Sequence, residues 1–367
     1  MTGPDAIVVG AGPAGAAAAI GLVGAGARTL LLERARETGD ALCGGFLSWQ
    51  SLARIEALGI DRAALGGQRV TSVRLFAGRH HSETLLPAEA MGVSRRRLDG
   101  ALQAAALAAG AGLERGVHAT ALDDGGVQTR DGARLTAPSI FLAAGKHGFR
   151  GYAREPAAWQ RADPVLGLRL RLPPHPALDR LVGDAVELHL FDRGYAGLVR
   201  QEDGGGNLCL AVHRSRLDEA GGDPAGLLRA LGDALGPLGE RLAHTEWSRP
   251  VDAIGHVPYG WRTADTAPGL FKLGDQAGVI PSLAGEGMGL AFASAEAAVT
   301  AWRHGGAVAA PAFQRQFAAR TARPFAVANL IWRAGERPVS AAPMTRLASL
   351  FPPLVRMASQ ATRIAPG

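Results

Sequence analysis

The sequence predicts a mixed α/β fold, α+β overall, with one domain of alternating strands and helices, a second domain built on an antiparallel sheet, and C-terminal helices. Three observations predict it. A glycine-rich turn, Gly10-x-Gly12-x-x-Gly15, joins the apolar run Ala6-Ile7-Val8-Val9 to an alanine-rich segment without proline, Ala14 to Val23. Leucines and valines alternate at period two through residues 164 to 212. Beyond residue 311, helix-forming stretches are punctuated by prolines.

The first observation defines a Rossmann-type β-α-β unit. Gly10 permits a tight strand-to-helix turn, Gly12 lets a pyrophosphate approach the backbone, and Gly15 lets the helix pack close to the sheet. The free N–H groups and partial positive charge of the helix N-terminus suit a phosphate. A second apolar strand, Thr29 to Leu32, ends at Glu33, 18 residues after Gly15. A carboxylate there accepts hydrogen bonds from an adenosine ribose. Pro13 and Ala14 inside the turn, and Arg34 beside the acid, join the expected cofactor contacts. A bare glycine triplet is weak evidence in a chain with 50 glycines; its strand, helix, second strand and acid in order make it strong.

That fingerprint alone fits either NAD or FAD, and the choice lies more than 200 residues downstream. Leu270-Phe271-Lys272-Leu273 runs into Gly274-Asp275-Gln276-Ala277-Gly278, followed by Pro281, by Gly285-Glu286-Gly287-Met288-Gly289 and by an alanine-rich helix to about Trp302. An Asp at a strand's end can hold a ribityl chain. The glycine-rich turn, with Gly285, Gly287, Met288 and Gly289, aims backbone N–H groups at the N1/C2=O edge of a reduced flavin. A cofactor that lies on both motifs is FAD, held non-covalently.

These residues carry a family resemblance. GAGPAG with Glu33, Ser94-Arg95-x-x-Leu98-Asp99, Ala143-Ala144-Gly145 and GDQAGVIPSLAGEGMGLAFASA occur in the order found in the FAD-dependent hydroxylase and geranylgeranyl reductase superfamily, whose fold is similar to p-hydroxybenzoate hydroxylase. The resemblance implies that Arg95, Ala144 and Gly145 touch FAD and that Gly274 and Asp275 hold its ribityl end. Leu42-Cys43-Gly44-Gly45-Phe46 resembles a loop of the geranylgeranyl reductases that returns to the flavin ring. Cys43 is a proton donor or tuner of the ring there, or else a buried structural thiol. Gly194-Tyr195-Ala196 stands where reductases and halogenases of this superfamily carry an aromatic, proline-containing strand motif. Tyr195 lines the cavity or is an ordinary strand aromatic. The halogenase motif is absent. Single-component hydroxylases carry an Asp-Gly pair where this chain has Ala144-Gly145-Lys146-His147-Gly148. The electron donor is therefore NAD(P)H or a separate reductase or ferredoxin-like protein.

Composition bounds the rest. The length, 367 residues, fits two intimately joined domains. The alternation at Val70, Val73 and Leu75, and again in Leu166-Leu168-Leu170-Leu172, Val186-Leu188-Leu190 and Leu208-Leu210-Val212, predicts short strands of a half-exposed sheet. Leu227 to Leu235 reads as a helix on its outer side. A discontinuous FAD-binding domain is expected over residues 1–65, 91–150 and 255–310. The substrate domain takes 66–90 and 151–254, and a helical segment takes 311–367. That last segment, broken by Pro324, Pro338, Pro343 and Pro352-Pro353, carries eight arginines against one acid, Glu336. It reads as a helical pair packed on the flavin domain with a solvated arginine face, or as a basic amphipathic surface for peripheral membrane contact.

Cys43 and Cys209 make neither metal spacing nor a disulfide framework. No run of eighteen apolar residues suggests a span, and the first strand follows the N-terminus too closely for a signal peptide. A cytoplasmic protein is expected, with no metal. Nearly all of the positive charge is arginine, without basic runs interleaved with aromatics, which argues against nucleic acid. His147, His189, His213 and His256 are scattered, and Trp247, Tyr259 and Trp261 serve as cavity wall or core.

The reaction expected is monooxygenation of a lipophilic aromatic or polyketide-like secondary metabolite through a peroxyflavin. The alternative is a geranylgeranyl-reductase-like saturation of isoprenoid or polyene double bonds; a non-catalytic flavin-bound redox scaffold is the third reading.

Overall fold

The computed structural model describes residues 3–365 except 124–125 and 147. Five parallel strands form one sheet, in the order Leu270–Lys272, Ser139–Leu142, Ala6–Val9, Thr29–Glu33, Gly112–Arg115. Its central strands, Ala6–Val9 and Ser139–Leu142, are buried throughout, because a parallel sheet is covered on both faces. On one face Ala6, Val8, Leu31, Phe141 and Phe271 meet the helices Pro13–Gly24, Arg95–Ala109 and Gly287–Gly305. On the other, Ile7, Val9, Leu32, Ile140 and Leu142 meet a three-stranded sheet of Ala119–Asp123, Gly126–Thr129 and Arg134–Thr136. Strands of this Rossmann-type sheet come from four separated parts of the chain, so the late motif at Gly274 is brought beside the early one at Gly10.

A second sheet has eight strands, in the order Asp252–Ile254, Val165–Leu172, Gly206–His213, Gly194–Arg200, Ala185–Phe191, Gln68–Ala77, His80–Gly92, Phe46–Leu47. It is antiparallel except at one join, where Ala185–Phe191 runs parallel to Gln68–Ala77. The period-two pattern works as expected along Val165–Leu172: Leu168, Leu170 and Leu172 pack under helices Pro224–Ala234 and Gly236–Leu242. Arg169 leaves from the opposite face. The region expected as short strands from Val70 to Leu86 is instead two long strands of 10 and 13 residues, with an irregularity between Val70 and Ser72.

The C-terminal segment is corrected in two respects. It forms four helices, Ala310–Arg320, Ala322–Gly335, Pro338–Leu350 and Pro352–Ala361, rather than a pair. Pro338 and Pro352 open helices, and Pro324 sits in a first turn, where the missing N–H has no intrahelical acceptor to lose. Pro343 lies inside Pro338–Leu350 without ending it. The last two helices rest on strand His80–Gly92 of the large sheet, not on the flavin domain.

Candidate functional site

The glycine turn is a cradle in the steric sense. A Cβ on Gly15 would stand 1.8 Å from the Gly10 carbonyl oxygen, and one on Gly10, where φ is +102°, 2.5 Å from that of Ala143. At Gly12 it would come within 3.2 Å of the Arg95 guanidinium. Pro13 occupies the start of the following helix, and Gly12 caps it with no side chain, so the first N–H groups stay available for an anion. Ala14 packs toward Gly274, whose Cβ would lie 3.3 Å from that of Ala14.

Glu33 ends its strand and accepts from the N–H groups of Ala11 and Ala35, both at 2.9 Å. Arg34 follows on the exposed side. Gln103 donates to the Ala11 carbonyl at 2.8 Å and accepts from Thr38 and Arg115, fixing the turn from behind. Ser94 caps helix Arg95–Ala109, and Arg95 forks onto Asp99 with two bonds of 2.7 Å. Burial works against the Arg95 charge, yet Asp99 holds the guanidinium above its ordinary range. Burial lifts the Asp99 carboxyl in spite of that arginine. A cation held this way above the glycine turn suits a pyrophosphate.

The late motif folds against this turn. Ser294 accepts from the Gly274 N–H at 2.8 Å, and Asp275 is half-buried beside it. Gln276 and Arg154 both donate to the Gly145 carbonyl, at 2.7 and 3.2 Å, and Arg154 also reaches the carbonyls of Asp275 and Lys146. Ala144-Gly145 and Gly274-Asp275 are thus fastened together. Pro281 is buried at the start of the loop to helix Gly287–Gly305. Gly285 has φ +62°, and a Cβ there would stand a tight 3.0 Å from the Phe46 ring. Met288 joins the core, and Gly289 leaves space for the buried Glu286 carboxylate.

Residues 40–46 form a strap across the seam between the two sheets. Arg169 donates to the carbonyls of Asp40 and Ala41, at 2.7 and 2.9 Å. Asn207 and Cys209 both donate to the Cys43 carbonyl, at 2.9 and 3.0 Å, and Lys146 reaches that of Leu42. Burial, with the nearby Cys43, pushes the Cys209 thiol up to about 12, so it stays a protonated donor. The Cys43 side chain is half-buried. Burial opposes the charge on Lys146 and is the largest single influence, but Asp275 together with Tyr259, Cys43 and Cys209 outweighs it, raising the ammonium above its ordinary range.

On the large sheet, Tyr195 is buried and its hydroxyl bonds to Ser282, which also meets the Tyr259 hydroxyl at 2.5 Å. Burial raises both phenols, so both remain protonated at neutral pH. Tyr195 and Tyr259 share an apolar cluster with Leu190, Val257, Val279 and Trp332, fringed by Leu188, Leu283 and Trp261.

The sequence assigns site roles to Cys43, Tyr195, Asp275 and the glycines, but none to Lys146, Arg169, Ser282 or Arg363. The available signal for Lys146 was that the chain has only one other lysine. His189 and His213 sit in buried ion clusters, with Glu187 and with Asp163 and Glu336 respectively, while His147 lies outside the described residues.

The residues fit FAD. A Cβ on Gly44, Gly145 or Gly287 would meet nothing within 4 Å, and the turns carrying them adjoin through Lys146–Leu42 and Gly285–Phe46. Open space therefore adjoins three turns that are themselves tied together.

Comparison with known proteins agrees. The family described as FAD binding domain matches residues 4–158. No curated protein matches the chain in sequence. Among solved structures, the fold is similar to a geranylgeranyl bacteriochlorophyll reductase-like protein from Thermoplasma acidophilum (TM-score 0.74, 20% identity, covering 100% of this chain and 94% of that one). It is similar to P. aeruginosa PqsL in complex with 2-aminobenzoylacetate (0.72, 19% identity, 93% and 99%). The flavin-dependent brominase Bmp2 matches at 0.75 with 15% identity, over 99% and 95%. At these identities the likeness concerns the fold.

Proposed function

We propose that this chain, an FAD-dependent oxidoreductase of the superfamily its motifs resemble, is a monooxygenase acting on a lipophilic aromatic substrate. Bound FAD, once reduced by its electron donor, would supply the activation of oxygen. The chain's own residues bind and orient it: Gly10, Gly12, Gly15 and Arg95 at the pyrophosphate, Glu33 at the ribose, Asp275 at the ribityl chain. The N-terminus of helix Gly287–Gly305 favours negative charge at the ring.

The observation that carries the reading is the hydroxyl chain Tyr195–Ser282–Tyr259. Hydroxylation of a phenol-type ring is helped by withdrawing the proton of the substrate's own hydroxyl, which makes the ring carbon electron-rich. Three linked hydroxyls, Tyr195 on the large sheet, Ser282 on the loop before helix Gly287–Gly305 and Tyr259 on the segment between Asp252–Ile254 and Leu270–Lys272, are suited to relay that proton toward solvent. The cluster of Leu188, Leu190, Leu283, Trp261 and Trp332 around them favours an apolar substrate body. The aromatic 2-aminobenzoylacetate bound by PqsL supports the same class. Ala144-Gly145 stands where single-component hydroxylases carry an Asp-Gly pair, and the loss of that acid favours electron delivery by a separate reductase over direct use of NAD(P)H.

One observation favours the alternative, saturation of a polyene or isoprenoid double bond. Cys43 sits in a strap whose carbonyl is fixed by two bonds, and its half-buried thiol is the proton donor that this alternative would use. The test is to reduce the FAD-loaded protein and mix it with oxygen carrying a heavy isotope and candidate phenols. Labelled product supports the oxygenase. Anaerobic reoxidation of the flavin by an alkene, lost in Cys43→Ser, would replace it with the reductase.

A further inference from the structure

The last two helices carry an apolar face that the rest of the chain leaves uncovered. Six of the eleven exposed large hydrophobics among the described residues fall between 339 and 357: Val339, Leu347, Leu350, Phe351, Leu354 and Met357, from 43% to 85% exposed. Leu350 and Phe351 stand at the corner where helix Pro338–Leu350 gives way to Pro352–Ala361. The second of these helices has no buried residue at all, although its apolar and polar positions separate to opposite sides. Val355, Ala358 and Ala361 are half-buried against the neighbouring elements, but the larger Leu354 and Met357 stay exposed, as on a binding surface rather than in a core.

The charge around this corner has one sign. Residues 337 to 365 contain Arg337, Arg346, Arg356 and Arg363 and no acid. Arg363 is buried, while the other three are exposed and flank the apolar side chains. The acids of the neighbouring strand His80–Gly92 are already matched, Glu83 by Arg74 and Glu89 by Arg62 and Arg69. The exposed Leu85 of that strand adjoins the patch through its carbonyl, which accepts from Arg356 at 3.1 Å. None of the described helices is long and apolar enough to cross a membrane.

We propose that the corner between these two helices seats the protein on an anionic lipid bilayer. Leu347, Leu350, Phe351, Leu354 and Met357 enter the boundary between head groups and acyl chains, and Arg337, Arg346 and Arg356 meet the lipid phosphates. Charge decides this occupant over a second copy of the chain. Two copies face to face would oppose arginine with arginine, whereas an anionic surface complements them. The seat is also fastened to the flavin end of the molecule. Just past the second helix, Arg363 bonds to the carbonyls of Ala284 and Gly285 and to the Glu286 carboxylate, and Arg54 holds the Ile364 carbonyl at 2.7 Å.

The test uses the full, FAD-loaded chain and co-sedimentation with vesicles of phosphatidylcholine alone or mixed equally with phosphatidylglycerol. Binding to the mixed vesicles is expected to be about tenfold or more tighter than to phosphatidylcholine, and to weaken with salt. Leu350→Asp with Phe351→Asp should abolish it, and Arg346→Gln with Arg356→Gln should remove the lipid-charge preference. All four side chains are exposed, so unchanged flavin absorbance and thermal melting will show that the variants fold. No binding, equal binding to both vesicles, or binding that survives both pairs of changes would overturn the proposal. So would concentration-dependent dimerisation abolished by Leu350→Asp, which would assign the face to a second copy. None of these readouts depends on which reaction the flavin performs.

Discussion

Arg363 makes a buried ion pair with Glu286, the residue set between Gly285 and Gly287 in the turn that opens helix Gly287–Gly305. Their side chains are 4% and 0% exposed. Burial pushes the Glu286 carboxyl up, against the pull of Arg363. The two positions are separated by 77 residues, so the segment after the last helix is a structural part of the Gly285–Gly287 turn.

Removing one partner strands the other. Arg363→Met should destabilise the protein by about 3–5 kcal/mol, because an unpaired carboxylate is left in the interior. Denaturant unfolding of the FAD-loaded protein measures this. Adding Glu286→Gln to Arg363→Met should recover part of the loss; a double variant as weak as the two single losses combined would refute the pairing argument.

The glycine turn gives a steric prediction with its own control. Gly15→Ala places a Cβ 1.8 Å from a backbone oxygen and should abolish FAD retention. Gly24→Ala meets nothing within 4 Å and, near the end of the same helix, should be neutral or stabilising by up to about 1 kcal/mol. Flavin absorbance per chain after purification distinguishes them.

Glu33→Ala removes a charged acceptor and should weaken FAD binding by about 1.5–3 kcal/mol, with Asp275→Ala similar at the ribityl end. Titration of the apoprotein with FAD reads both. Since Glu33 also accepts from the Ala11 N–H inside the turn, Glu33→Gln should recover only part of the affinity.

His213 lies between Glu336 and Asp163. Burial works against its charge, but the bond to Glu336 and the nearby acids raise its pKa in the folded state. A raised pKa stabilises fully below the unfolded value of about 6.5 and loses that contribution as pH rises through the folded value. Stability should therefore fall across that window, and His213→Gln should flatten this part of the profile. A His213→Gln profile parallel to wild type would contradict the assignment.

If the hydroxyl chain moves the substrate's proton, Tyr195→Phe and Tyr259→Phe should each slow hydroxylation about 10²-fold. Substrate binding should change little, and the loss should shrink at high pH, where the substrate ionises unaided. Measuring kcat and KM across pH separates this from a packing defect, which would move both at every pH.

The Rossmann-type half was legible because its rules are local: a strand, three glycines with separate steric duties, a helix and an acid at fixed spacing. The large sheet was legible as alternation, but alternation says nothing of direction, so the parallel join at Ala185–Phe191 was invisible. Pro343 reads as a breaker, yet its helix continues through it. Arg169, Ser282 and Arg363 escaped because their meaning lies in partners 23 to 129 residues away. Nothing in the sequence near Cys43 announces Cys209, 166 residues on, as the donor to its carbonyl.

The strap at residues 40–46 has a consequence for anyone redesigning this protein. Asn207 and Cys209 belong to the eight-stranded sheet, which under the proposed function walls the substrate side, yet both end on the backbone of Cys43, beside the turns proposed to hold the cofactor. A library that varies this strand to change substrate preference will also retune the flavin's surroundings. Selection for a new substrate will then enrich compensating changes in the strap, so the two should be randomised together rather than in successive rounds.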